Sequence, residues 1–153
     1  MNLKLKTITE RADADALLEL LERGARETRE AYAEGASDDD RPLARRYLDA
    51  HFGGKQALIV SAESEGGSLG LAATAPMVDP LTGDSEAHLV VLWVDPSVRH
   101  RGVARALVAE VRRRLAERGH AILTARASHN DDALISMGER WGLVRAWELM
   151  SSD

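Results

Sequence analysis

The run from His88 to Val94 is almost wholly apolar and stops at Asp95-Pro96, and this constrains the fold more than anything else in the chain. A strand without polar alternation is buried on both faces, so it belongs inside a sheet covered by helices on either side. The segment after it is equally specific. A short basic loop, Ser97-Val98-Arg99-His100-Arg101-Gly102, opens directly into a stretch where Ala104, Leu107, Val108, Val111 and Leu115 recur at helical spacing, until Gly119 stops it.

The remaining periodicity builds a domain around that strand. Leu3 and Leu5 alternate with lysines up to Thr7-Ile8, the pattern of a half-buried opening strand. From Asp13 the spacing turns helical, with Leu17, Leu18, Leu21, Ala25 and Tyr32 inward, and Gly35 ends this first helix. Asp38-Asp39-Asp40 and Arg41-Pro42 suit the entry of a second helix, where carboxylates favour the positive end. That helix carries Leu43, Tyr47 and Phe52 to a stop at Gly53-Gly54. Strands are expected over Gln56–Ala62, Leu69–Thr74 and His88–Val94, and another over Ile122–Ala127. Asp131 or Asp132 caps a last helix bearing Leu134, Met137 and Trp141; Gly142 closes it, and Val144–Met150 is read as a final strand. The order is β-α-α-β-β-β-α-β-α-β, an α/β domain with a mixed sheet. At 153 residues the chain has room for one such domain, residues 1–153, and not for two cores.

Composition removes several classes of function. There is no cysteine, hence no disulfide, thiolate metal site or cysteine nucleophile. The five histidines include no closely spaced pair, so no metal site is expected. With 25 acidic against 20 basic residues, a nucleic-acid partner is disfavoured, and Arg112-Arg113-Arg114 reads as the solvated face of a helix. No stretch approaches the roughly 18 apolar residues of a membrane span. The alternating N-terminus does not resemble a signal peptide, so a cytoplasmic location is expected.

The basic loop carries the chemistry. The first amides of a helix are unpaired and its dipole makes that end electropositive. Gly102 lets a ligand approach the backbone, Ala104 keeps the next turn narrow, and Arg99, Arg101 and Arg105 add positive charge. Together these form a pyrophosphate cradle. The competing reading is an ordinary strand-to-helix turn with solvated arginines.

Arg99-His100-Arg101-Gly102-Val103-Ala104 resembles the Arg/Gln-x-x-Gly-x-Gly/Ala signature of the GNAT superfamily of N-acetyltransferases. The preceding Val94-Asp95-Pro96 and the downstream Arg126-Ala127-Ser128-His129-Asn130 and Trp141-Gly142-Leu143 are similar to that family's pattern, so the resemblance covers Ala87 to Leu143. It implies a mostly antiparallel central sheet flanked by helices, and acetyl-coenzyme A as donor. By similarity, the backbone of Leu92, Trp93 and Val94 pairs with the pantetheine arm, and one of those amides, at a bulge, faces the thioester oxygen. Amides from His100 to Arg105 hold the pyrophosphate. Asn130 contacts the cofactor arm, with Asp131 competing for that role.

For the base, the family often uses a glutamate on the fourth strand; here His88 stands at such a position, with Glu86 as backup. An alkyl amine has a pKa of about 10.4, so some group must take its proton. A histidine near 6.5 is suited to that task. The other reading is a histidine simply hydrogen-bonded at a strand entrance. The tyrosine that protonates the leaving thiolate in relatives is missing: Met137 or Gly138 takes its place, and Tyr32 or Tyr47 would have to reach in from the N-terminal helices. The resemblance therefore implies direct acetyl transfer to a primary amine of a small molecule or peptide, or else a non-catalytic acyl-coenzyme A sensor that lost its acid. Only 11 residues come after Gly142, a shortened C-terminal strand region that leaves a sheet edge open to a homodimer partner.

Overall fold

The computed structural model describes residues 2–30, 39–127, 130–146, 150 and 152. Its elements are β1 (Lys4–Thr7), α1 (Arg11–Ala16), α2 (Leu18–Glu30), α3 (Leu43–His51), β2 (Ile59–Ser64), β3 (Gly67–Val78), β4 (Ser85–Val94), a 3₁₀ turn (Pro96–Val98), α4 (Val103–Glu117), β5 (Leu123–Ala125) and α5 (Asp132–Arg140). The strands form one sheet in the order β1-β2-β3-β4-β5. Neighbours among the first four pair antiparallel, and β5 runs parallel to β4.

Each face of the sheet carries its own core. On one side Leu107, Val111 and Leu115 of α4 pack on Val60, Ala62, Ala72 and Val94. On the other, Ala14, Leu21, Ala44 and Leu48 of α1, α2 and α3 pack on Ile59, Leu71, Ala73 and Val91. The expected doubly covered strand is thus β4, which begins at Ser85, ahead of the apolar run.

Several boundaries differ from the sequence expectation. One helix from Asp13 becomes two, because the chain tightens at Leu17, whose N–H bonds the Ala14 carbonyl at 3.0 Å. The bend lets α1 meet β1 and α3, through Lys6–Asp13 at 4.0 Å and Arg11–Asp49 at 2.8 Å, while α2 lies along β4. The helix end expected at Gly35 lies outside the described residues, as does Tyr32. The entry of α3 is not capped by the acidic run. Asp39 instead grips Arg41 at 2.7 Å, and Glu22 of α2 reaches across to accept the Ala44 N–H at 2.8 Å.

The second strand starts at Ile59, not Gln56, because the buried Thr74 hydroxyl replaces the ladder there. It accepts from Leu58 N–H at 2.9 Å and donates to the Gln56 carbonyl at 2.8 Å. Of the expected last strand, Val144 to Ala146 are described and form no strand, and 147–149 lie outside the described residues. Arg112 departs from the solvated face assigned to its triplet, since Nη1 donates to the Trp141 carbonyl at 3.0 Å and ties α4 to the end of α5. Arg113 and Arg114 remain on that face, paired with Glu110 and Glu117.

Helix α2 approaches β4 with no room to spare. A Cβ at Gly24 would lie 2.6 Å from Val91 Cγ1 and 2.9 Å from Trp93 Cβ. A mid-helix glycine costs about 1 kcal/mol relative to alanine, and here it permits the contact that sets β4 against the helical layer. Gly24→Ala is therefore expected to lower stability by about 1–2 kcal/mol, overpacking outweighing the gain in helix propensity. A denaturant midpoint that stays put or rises would show the approach to be slack.

Candidate active site

The site is built where β4 loses one neighbour. Pairing between β4 and β5 covers only Ala87↔Leu123, His88↔Thr124 and Leu89↔Ala125. From Val90 to Val94, β4 keeps β3 on one side, while its other edge has no strand among the described residues. The register to β3 slips between Ala73↔Val91 and Thr74↔Leu89, leaving Val90 unpaired as a bulge. A bulge kinks a strand and re-aims its backbone groups. It lies at Val90, two residues ahead of the Leu92–Val94 stretch where the resemblance placed it, because the register slip against β3 falls between Leu89 and Val91.

The open edge leads into the basic loop. Asp95 accepts from Ser97 N–H at 2.8 Å and Ser97 Oγ at 2.6 Å, bonds that hold its carboxyl below the usual range and fix the turn. His100 (φ 63°) and Gly102 (φ 84°) both take left-handed conformations, and α4 starts at Val103. The first ladder bond of α4 runs from Ala106 N–H to the Gly102 carbonyl at 3.0 Å, so the amides of Val103, Ala104 and Arg105 lie ahead of the helical ladder. Unpaired amides at a helix start, turned by left-handed residues, form a concavity for an anion.

The arginines divide their work. Arg99 is not turned into this concavity: Nε donates to the Val94 carbonyl at 2.9 Å and Nη2 lies 3.5 Å from Glu27. It clamps the end of β4 to α2. Arg101 and Arg105 are exposed and have no ion pair among the described residues.

His88 is half-buried on β4, beside Thr124 of β5, with Nδ1 2.8 Å from Thr124 Oγ1. Burial pushes its pKa below the ordinary histidine value, and the nearby charge of Arg126 pushes it further the same way. Both effects favour the neutral imidazole over the charged form. Glu86 is exposed on the same strand. Tyr47 comes close to the bulge, but its hydroxyl donates to the Thr74 carbonyl at 2.6 Å, and burial raises its pKa above the ordinary phenol range. It anchors α3 to β3 and is not a free proton donor. Asp131 caps α5, accepting from Leu134 N–H at 2.9 Å, and the neighbouring Asn130 is exposed at the same turn.

Two features of the site escaped sequence reasoning. Gly24 gave a signal as a glycine inside an amphipathic helix. Trp93 was expected for its backbone alone; its side chain, buried with Nε1 lacking a hydrogen-bond partner and Arg23 5.7 Å above its ring, gave no signal.

The profile of the Acetyltransferase (GNAT) family matches residues 15–142. No curated protein matches the chain in sequence. Among solved structures, AAC(6')-Iy in complex with a coenzyme A-based bisubstrate analogue superposes with a TM-score of 0.72 at 17% identity, covering 100% of this chain and 98% of that one. A predicted acetyltransferase of Clostridium acetobutylicum with acetyl-CoA gives 0.72 at 17% identity, over 99% and 96% of the two chains. Glucosamine-6-phosphate N-acetyltransferase of Arabidopsis thaliana gives 0.66 at 17%, over 100% and 99%. At these identities the likeness is one of fold.

An imidazole held neutral by burial titrates late. The His88 ring protons, observed by NMR, are expected to shift with a midpoint below about 6.5. Arg126→Ala should raise that midpoint but leave it below the ordinary value, since burial is the larger cause. A midpoint above the ordinary value would contradict the buried setting.

Proposed function

This chain belongs to the GNAT family of acetyltransferases, and on that premise we propose that it transfers acetyl directly from acetyl-coenzyme A to a primary amine of a small molecule or peptide. The observation that carries the reading is the continuity of the open β4 edge with the unpaired first amides of α4 beyond it. A ligand with an extended amide-bearing arm and a pyrophosphate at its far end matches both halves of that surface. Coenzyme A has this chemistry, and the residues present fit it.

In this reading the arm lies along Val90–Val94 as an added strand, engaging the backbone of Leu92, Trp93 and Val94. The amides of residues 100–105 take the pyrophosphate, with Arg101 and Arg105 supplying charge and Gly102 the backbone shape. Arg99 acts indirectly, by holding Val94 and Glu27 together. Asn130 is the contact from the α5 side. Bound acetyl-coenzyme A supplies an activated acyl group, and a backbone donor at the β4 bulge stabilises the oxyanion that develops as the amine attacks. His88 takes the proton from the attacking nitrogen, and Glu86 is the alternative acceptor. Since Tyr47 is engaged, the leaving thiolate is protonated from water; with a pKa near that of a cysteine thiol, about 8.5, it is an adequate leaving group.

The acceptor class is set away from the cofactor edge, in α1–α3 and the loop between β3 and β4. Solved structures of similar fold include enzymes named for aminoglycosides, glucosamine-6-phosphate and a ribosomal-protein alanine. All three are amine acceptors, which supports a primary amine here.

Thiol release from acetyl-coenzyme A, measured against small amines, polyamines, aminoglycosides and peptides, tests this function. The chain has no cysteine, so a thiol reagent sees product alone. Release dependent on one amine class is expected; cofactor binding without release on any amine would count against transfer. His88→Ala is expected to lower kcat by about 10²–10⁴. Unchanged activity with an unchanged pH profile would remove His88 as base. Separately, Gly102→Ala is expected to raise the Kd for coenzyme A about tenfold, because φ 84° costs an L-residue about 1–2 kcal/mol. An unaltered Kd would detach the loop from the cofactor.

A further inference from the structure

We propose that Thr124 is a positioning residue that locks His88 in the Nδ1–H tautomer, leaving Nε2 as the basic nitrogen that receives the acceptor's proton. This deepens, and rests on, the reading of His88 as the base.

The number of available protons decides the tautomer. Thr124 Oγ1 lies 2.8 Å from His88 Nδ1 and 3.4 Å from the Ala87 carbonyl. A hydroxyl has one hydrogen to give. If it went to Nδ1, the contact with the carbonyl would place two acceptors against each other. If it goes to the carbonyl, Nδ1 must carry the hydrogen, and the chain runs Nδ1–H to Oγ1, then Oγ1–H to Ala87 O. Only this arrangement satisfies both contacts.

The parallel pairing of His88 with Thr124 holds the two side chains on the same face of the sheet, so the contact is a property of the register. Which ring nitrogen is basic is set by the hydrogen bond that the other makes. Among the described residues Nε2 has no protein partner. Arg126 after β5 is the charge that acts on the ring; Glu86 stands two residues before His88 on the same strand, and the Tyr47 hydroxyl of α3 is tied to the Thr74 carbonyl. None of these competes with Thr124 for Nδ1.

The consequence is that Thr124→Val, which keeps shape and strand preference but removes the hydroxyl, frees the ring to take either tautomer. The test is the ¹⁵N spectrum of the imidazole, assigned by comparison with His88→Ala, alongside steady-state rates. In the native protein the spectrum should report Nδ1–H and unprotonated Nε2 at pH above the His88 midpoint. In Thr124→Val it should show a mixture, with kcat down about three- to tenfold, KM for acetyl-coenzyme A unchanged and the acid limb of kcat displaced. Thr124→Ser should restore the native spectrum and rate.

A native spectrum with Nε2–H overturns the proposal without need of any variant, so it remains decidable even if Thr124→Val fails to fold. A Thr124→Val protein with native tautomer and native pH profile overturns it as well. If His88→Ala keeps full activity, the base reading fails instead, whatever tautomer is observed. The two failures are therefore distinct.

Discussion

Strand β4 is hydrogen-bonded to β5 from Ala87 to Leu89 and then continues from Val90 to Val94 with its outer edge open among the described residues. Backbone N–H and C=O groups demand partners, and an exposed edge is a liability that folds normally cover. Keeping this edge open requires β4 to be held from every other direction. Its inner edge is paired to β3 on both sides of the Val90 bulge, α4 covers one face, and α2 and α3 cover the other. The site exists because those restraints suffice without a further strand.

Two close approaches supply much of that restraint. On the α4 side, Gly70 leaves no space for a Cβ, which would sit 2.8 Å from the Trp93 carbonyl and 3.3 Å from Leu107 and Val103. On the α2 side, Gly24 does the same against Val91 and Trp93. Arg99 then links the end of β4 to Glu27 of α2, so the strand, the basic loop after it and α2 share one bracket.

The chemistry depends on where groups are desolvated and what they are tied to. His88 is kept neutral by burial and has one nitrogen already engaged, which suits it to accept a proton and not to donate one. Tyr47 is a phenol in the right neighbourhood whose hydroxyl is used to dock α3. In the proposed reading His88 takes the proton of the amine and solvent protonates the thiolate. That division is workable because a thiolate is a far better leaving group than an amide or alkoxide.

Local information in the chain decided the parts that are local in physics. The uninterrupted apolar run, the Asp95-Pro96 stop and the Gly102 loop are consecutive residues acting on their neighbours, and they define β4, the turn and the start of α4. The amphipathic spacing of α3, α4 and α5 was equally legible. Features that depend on distant residues were not. The split at Leu17 answers to β1, α3 and β4; the cap of α3 comes from Glu22, a helix away; Thr74 delays β2 by taking its ladder bonds. The bulge at Val90 comes from a register slip against β3, and the partner of His88 lies 36 residues further on, across a parallel pairing. The sequence determined which residue types stand at the strand-to-helix junction. Only the tertiary structure decided which of them face one another, because strand register and helix approach are set by the packing of both cores at once.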